Sequence, residues 1–428
     1  MESAEKRKPL KLNAIIAVGL GNALAFYDLL IFGIFAVQIG AAIYPPDSGV
    51  SPLLLALGTF GVGFLTRPLG ALVIGRYGDR AGRKPAMMLS FTLTGLAILG
   101  QALVPSYAVA GIAAPAMMIA LRLLLGFAIG GEVGPSIAYL IEAAPVERRG
   151  LYASIQFATA DTGALVAGLI GFALAATLDD AQLGQWGWRI AMVIGASIVP
   201  FGLYLRNRLD ETLHTASLQD APALARRGVL WIALLGFLII VSATVGSYGL
   251  SYLTVYAQTT LHMATDLAFA GTIFFGLAAV IADLAGGVAS DRFGRKPVML
   301  FGSLALVLTL IPAFYWLNAS PTMLVLGMVS FWRSTATTLG TAAAIIGFTE
   351  ALPVRNRSGS LGLVYALAVA IFGGTAQLAV AWLTDLLHDP LAPAYYVLAI
   401  SLVGIGAMIA LPETAPIRVR AHNLSPKG

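Results

Sequence analysis

Runs of about twenty apolar residues recur from one end of this 428-residue chain to the other, separated by short charged segments. At a rise of 1.5 Å per residue, such a run crosses the hydrocarbon layer of a bilayer as a helix. The strands of a membrane barrel are about ten residues long and alternate polar with apolar, and these runs do neither. Inside lipid, every backbone N–H and C=O must be satisfied within the segment, which leaves helix. Composition agrees from the other side. Only 11% of the residues are charged, against about a quarter in soluble domains.

The runs place twelve spans at approximately 14–43, 52–76, 86–105, 109–141, 151–177, 187–205, 229–258, 266–289, 297–317, 321–349, 358–386 and 393–411. The fourth and tenth exceed one bilayer thickness and imply tilt. Met1 to Lys11 is polar and basic, and the apolar run after it is long and lacks a small-residue cleavage site. It reads as a first span rather than a removable signal. The absence of cysteine excludes disulfides, thiol catalysis and cysteine-ligated metal.

The net charge of +5 does not point to nucleic acid, because the charges follow the spans. Lys6, Arg7, Lys8 and Lys11 precede the first span, and Arg76, Arg80, Arg83 and Lys84 follow the second. Arg148 and Arg149, the central-loop arginines 206, 208, 226 and 227, then Arg292, Arg295, Lys296, Arg355, Arg357 and the tail all fall on that same side. Only Arg67, Arg122, Arg189 and Arg333 lie within or at the edge of spans. The opposite loops carry Asp47, Asp179, Asp180, Asp266 and Asp389 and no Lys or Arg. The positive-inside rule therefore puts both termini in the cytoplasm of a cell (inner or plasma) membrane.

The chain also repeats. Gly75-Arg-Tyr-Gly-Asp79-Arg80-Ala-Gly82-Arg83-Lys84-Pro85 follows span two, and Gly287-Val-Ala-Ser-Asp291-Arg292-Phe-Gly294-Arg295-Lys296-Pro297 follows span eight, with the aspartates 212 residues apart. Glu142-Ala-Ala-Pro145 before Arg148-Arg149-Gly150 is echoed by Glu350-Ala-Leu-Pro353 before Arg355-Asn-Arg357-Ser-Gly359, 208 residues on. Residues 1–205 and 229–428 thus read as two six-helix halves in the same orientation, joined by a polar linker, 206–228. Parallel repeats of this kind place a substrate site between the halves near mid-membrane.

The doubled G-x-x-x-D-R-x-G-R-K-P loop resembles the major facilitator superfamily. The likeness implies an all-α membrane fold of twelve helices in two pseudo-symmetric halves. Four further stretches tighten the resemblance to the metabolite:proton symporter family: Gly21-Asn22-Ala-Leu-Ala25-Phe26-Tyr27-Asp28, Arg67-Pro68-Leu-Gly70, Arg122-Leu-Leu-Leu-Gly126-Phe127 with Gly131-Glu132, and Trp186-Gly-Trp-Arg189-Ile190. The stretch Ala370-Ile-Phe-Gly-Gly374 is most similar to the citrate–proton branch. The resemblance covers nearly the whole chain. Members mostly import small organic acids, or compatible solutes such as proline and betaine, with protons as the coupling ion. This chain departs from the family pattern twice: Ala25 stands where a glutamate is usual, and Ala160-Asp161 replaces a glutamine pair.

Ionisable residues within spans are costly and face a cavity or a partner. Arg122 and Arg333, in corresponding spans four and ten, suit carboxylate recognition because a guanidinium binds a carboxylate in bidentate fashion. Arg67, beside Pro68 and Gly70, reads as packing. Asn22, Tyr27, Gln156 and Tyr365 could complete a substrate site. Proton coupling asks for carboxyls that can change protonation as their surroundings change, and Asp28, Asp161 and Glu132 are the candidates. Asp283 is another intramembrane carboxyl. Asp79, Arg80, Arg83, Asp291, Arg292 and Arg295, with Glu142 and Glu350, are the gating candidates, since ion pairs at helix ends can form in one conformation and break in another. Each of these residues could instead be a permanent ion-pair partner or topology anchor. Tyr248, Tyr252 and Tyr256 fall at i, i+4, i+8 on one face of span seven, a pattern of packing as much as of binding. The four histidines lie in loops, span ends or the tail, which argues against a histidine relay.

The reading that follows is a secondary active importer of a small organic anion, a di- or tricarboxylate such as citrate, working with protons by alternating access. The chain is expected to be monomeric, to hold no cofactor or metal and to be no enzyme. A zwitterionic cargo (betaine or proline) and an exporter or antiporter of the same fold are the alternatives. A membrane enzyme or sensor lacks support, because no nucleophile elbow, phosphate loop or appended soluble domain is present.

Overall fold

The computed structural model describes residues 12–46, 49–143, 148–207, 226–352 and 357–415. Among these residues every regular element is helical. The first six helices are α1 (Leu12–Ile34), α2 (Pro52–Leu65, continued by Arg67–Ala81), α3 (Arg83–Leu103), α4 (Ala113–Ala143), α5 (Arg149–Thr177) and α6 (Trp188–Asn207). The last six are α7 (Arg226–Ser251), α8 (Thr265–Phe293), α9 (Arg295–Ala319), α10 (Met323–Ala351), α11 (Arg357–Ala368, continued by Gly374–Leu387) and α12 (Ala392–Ala410).

Ten helical units are long and apolar enough to cross a membrane, and an eleventh is α1 together with Ala36–Ile43, bent by 69° at Phe35. The remaining expected span is α10. It has the length, 29 residues, but carries Ser330, Arg333, Ser334, Thr335, Thr337, Thr338 and Thr341 along its middle. Most of its residues are buried, so its polarity is turned towards protein. Large apolar side chains lie on the outside of the bundle instead, Leu103, Leu308 and Leu324 among them. That is the inverse of a soluble surface and suits a lipid-facing belt.

The repeat seen in the sequence recurs in the backbone. Gly82 and Gly294 join α2 to α3 and α8 to α9 with nearly identical torsions, φ 109° ψ 157° and φ 107° ψ 160°. Only glycine adopts this conformation without strain, which explains the residue in both motifs. Helices α2 and α4 approach backbone to backbone: a Cβ on Gly126 would collide with the carbonyl of Gly63.

Two helix pairs carry most of the contact between the first six helices and the last six. The larger joins α5 to α8, and the other joins α2 to α11. Their register along α5 and α8 is antiparallel. Gly168 lies against Ile273, Gly276 against Leu165, Gly287 against Ser154 and Gly150 against Asp291. A five-residue π segment, Val369–Gly373, interrupts α11 where the Ala370-Ile-Phe-Gly-Gly374 stretch falls.

The three tyrosines of span seven are all buried. Helix α7 ends at Ser251 and the chain turns at Tyr252 before the short helix Leu253–Thr259. Tyr248 faces inwards, whereas the Tyr256 hydroxyl donates to Asn318 Oδ1 or to the Pro390 carbonyl, each at 2.8 Å. Gly228–Thr259 nonetheless runs as one span, with Tyr252 in helical torsions and the Tyr256 N–H donating to its carbonyl.

Candidate functional site

Between α1 and α5 on one side and α7, α8, α10 and α11 on the other lies a cavity of about 90 Å³. Asp161 and Asp283 supply its acidic groups. Tyr248, Tyr365, Phe26, Phe157 and Phe275 supply aromatic surface, and Thr338 and Thr341 supply hydroxyls. It adjoins a narrower space of about 10 Å³ that shares Leu30, Ser251 and Phe275 and is bounded by Ser330 and Arg333, room for about one water.

The sequence-predicted residues divide among three settings. Asp161 and Tyr365 line the main cavity and Arg333 lines its extension. Arg333 is 3% exposed, sits 5.7 Å from the Phe275 ring, and leaves Nε and Nη1 without a hydrogen-bond partner. Arg122, 211 residues earlier and thus at the repeat-equivalent position, is held differently. Its Nη1 lies 2.6 Å from Asp28 Oδ2, with both residues buried. Its guanidinium stacks over Phe32 at 3.8 Å. Asp28 and Arg122 therefore meet each other, and neither borders the cavity.

Other candidates are engaged in packing. The Asn22 amide donates to the Gln156 carbonyl at 2.7 Å, tying α1 to α5. The Tyr27 hydroxyl donates to the Ala191 carbonyl at 2.6 Å, facing α6. Gln156 is buried with Oε1 unpartnered, and it stands 209 residues before Tyr365, again the repeat distance. Arg67 stacks over Phe64 at 3.9 Å and neighbours the Tyr248 hydroxyl. It thereby reaches across from α2 to α7, more than the packing role read from its sequence setting.

At the end of the bundle that carries the doubled motif, Asp291 joins the two sets of helices. Its carboxylate accepts the backbone N–H of Gly150 at 2.9 Å and of Leu151 at 3.0 Å. A carboxylate at a helix N-terminus satisfies orphan donors and complements the helix dipole. Arg295 then binds Asp291 at 2.7 Å and Glu350 at 3.3 Å, and is itself buried. Arg80 and Arg292 are exposed, the latter beside the Phe293 ring. The side chains of Asp79, Arg83, Glu132 and Glu142 lie outside the described residues.

Sequence reasoning did not pick out Glu413. It accepts the N–H groups of Arg295 and Lys296, both at 3.0 Å, and so caps α9 from beyond α12. Thr414 adds a bond to Glu350 at 2.9 Å. A signal was present: Glu413-Thr414 after span twelve repeats Glu211-Thr212 after span six.

The opposite end is tied as well. Gln38 donates to Gln258 at 3.3 Å, Thr265 to Asp180 at 3.2 Å, and Phe35 packs edge-on against Phe269. A polar cavity held between the first and last sets of helices, with cross-ties at both ends, is the arrangement of a membrane transporter with a central site.

The sequence matches the Major Facilitator Superfamily over residues 18–333. The chain belongs to that superfamily, as a multi-pass membrane transporter and not an enzyme. It is 34% identical over 404 residues to the citrate-proton symporter of Salmonella typhi, covering 93% of each chain. It is 31% identical over 423 residues to the proline/betaine transporter of Salmonella typhimurium, covering 94% of this chain and 83% of that one. In fold it is similar to a D-xylose-proton symporter crystal structure, with a TM-score of 0.75 at 20% identity, covering 94% and 98% of the two chains.

Proposed function

We propose that the chain imports a small organic anion, a di- or tricarboxylate such as citrate, together with protons. The observation that carries this reading is Arg333: a buried cation with two unpartnered nitrogens at the end of the inter-half cavity. A carboxylate entering that space would supply the missing acceptor. The likeness to a citrate-proton symporter supports the same class of cargo. In this reading Asp28 and Asp161 exchange protons, and the basic loops face the cytoplasm of the inner or plasma membrane with both termini.

A zwitterionic cargo is the second reading, and two observations favour it. The main cavity presents two carboxyls and an aromatic wall, a setting for a substituted ammonium group. One of the similar relatives is a proline/betaine transporter.

Thermal stabilisation of the purified protein separates the two, since a ligand that binds the folded state raises its apparent stability. Citrate and related carboxylates are expected to raise the unfolding temperature, and Arg333→Ala to abolish the shift. Stabilisation by betaine or proline alone would overturn the organic-anion reading.

A further inference from the structure

We propose that Asp161 and Asp283 form a single proton site across the α5–α8 seam, in which one shared proton holds the two sets of helices together and its loss drives them apart. The proposal rests on the reading of the chain as a proton-coupled transporter and adds to it a second residue, Asp283, and a mechanical role.

The argument begins with the seam. Gly168 against Ile273 and Gly276 against Leu165 fix the register on one side of the pair, and Gly287 against Ser154 fixes it on the other. Asp161 and Asp283 are therefore opposed at a level where the surrounding backbones are already in contact. Asp283 is fully buried, borders the cavity and leaves both carboxyl oxygens without a hydrogen-bond partner. The group in range of it is Asp161. Among the described residues no cation pairs with either one.

Groups facing the pair from the other elements do not supply one. Helix α7 brings Tyr248 and α11 brings Tyr365, while α1 and α10 bring Phe26 and two threonine hydroxyls. Arg67 stands behind the two tyrosines and Arg333 occupies the separate extension. Two ionised carboxyls in this position would repel each other with little screening. One proton turns the same pair into an O–H donor and a carboxylate acceptor, replacing repulsion with a hydrogen bond across the seam.

The step balances simply. A proton enters from water on one side, the pair changes from a net charge of −2 to −1 and the seam closes. When that proton leaves to water on the other side the pair returns to −2, and the restored repulsion opens the seam. No other reactant is required.

The experiment uses no organic solute, so its outcome is independent of which cargo is carried. The chain has no cysteine, which makes introduced pairs clean sites for spin labels. Ala176→Cys with Ala264→Cys reports one end of the seam, and Arg148→Cys with Val288→Cys the other; all four positions are exposed. Distances measured at mildly acidic and mildly alkaline pH are expected to differ at one end or the other. In Asp161→Asn and in Asp283→Asn that difference should be lost, with thermal unfolding showing the variants folded. A pH response that persists in both variants, or that is missing from the parent, overturns the proposal. Should the asparagine variants not fold, infrared difference spectra of the parent with isotope-labelled aspartate serve instead. A protonated-carboxyl band lost on going to alkaline pH supports the shared proton, and its absence at acidic pH overturns it.

Discussion

Arg122 and Arg333, at equivalent points of the two repeats, each keep two buried nitrogens without a hydrogen-bond partner, but Arg122 is anchored by Asp28 and stacked on Phe32, whereas Arg333 has no carboxylate partner among the described residues. The stability consequences differ accordingly. Removing one member of a buried ion pair strands the other charge and costs about 3–5 kcal/mol, while replacing both with apolar groups is often neutral. Arg122→Ala is expected to lower the unfolding temperature strongly, and Arg122→Met with Asp28→Leu to recover most of the loss. Arg333→Ala should leave the unfolding temperature near or above that of the parent, because no counter-charge is stranded. Thermal unfolding in detergent reads all three, and an Arg333→Ala loss matching that of Arg122→Ala would count against the free-cation description. The sequence made both arginines visible as intramembrane charges. It could not tell the paired from the unpaired one, because pairing depends on which face of α1 meets α4. For the same reason Asn22 and Tyr27, chosen as polar groups that could complete a substrate site, are bonded to α5 and α6 backbone.

Helices are the scale at which the chain was most legible, since length and apolarity are additive along the sequence. Among the described residues ten helical units, or eleven with the bent α1, are apolar enough to cross a membrane and fall within a few residues of where the runs place them, α10 matches in length alone, and the repeated motif recurs as matching backbone at Gly82 and Gly294. Breaks were less legible. The bend at Phe35, the turn at Tyr252 and the π segment at Val369–Gly373 contain no proline, so nothing local announces them. Gly294 offers a test at this scale. A side chain at φ 107° is strained, and Gly294→Ala should destabilise by about 1–3 kcal/mol, with Ser290→Ala in the preceding turn as a milder comparison. A Gly294→Ala variant as stable as the parent would mean that the loop can relax into an ordinary conformation. Asp291→Asn tests the cap on α5. An amide oxygen can still accept one N–H, but it carries no charge for the helix dipole or for Arg295.

At the level of the whole molecule, the cross-ties at the two ends of the cavity should not open together, or solute and protons would leak. Asp291, reaching from α8 to the first turn of α5 and braced by Arg295, Glu350 and Glu413, closes one end. Gln38, Gln258, Thr265 and Asp180 close the other with neutral or singly charged hydrogen bonds. The charged end is the stronger lock, because charge-assisted bonds outweigh neutral ones about twofold. Weakening it with Asp291→Asn should therefore shift the population towards states open at that end. A single cysteine at Ser154, buried beside Gly287 on the seam, would report the shift, its thiol reacting several-fold faster with a small polar reagent in the Asp291→Asn background. Equal rates in the two backgrounds would mean that Asp291 stabilises α5 without holding the end shut. Alternating access makes a complementary demand of the opposite end. Joining Gln38→Cys to Gln258→Cys with a short bis-thiol crosslinker should stop uptake into cells or vesicles, and a crosslinker with a cleavable link should restore it once cut. Uptake that continues through a crosslinked pair would show that this end need not part, and the two six-helix sets would then have to move about some axis other than the seam between α5 and α8.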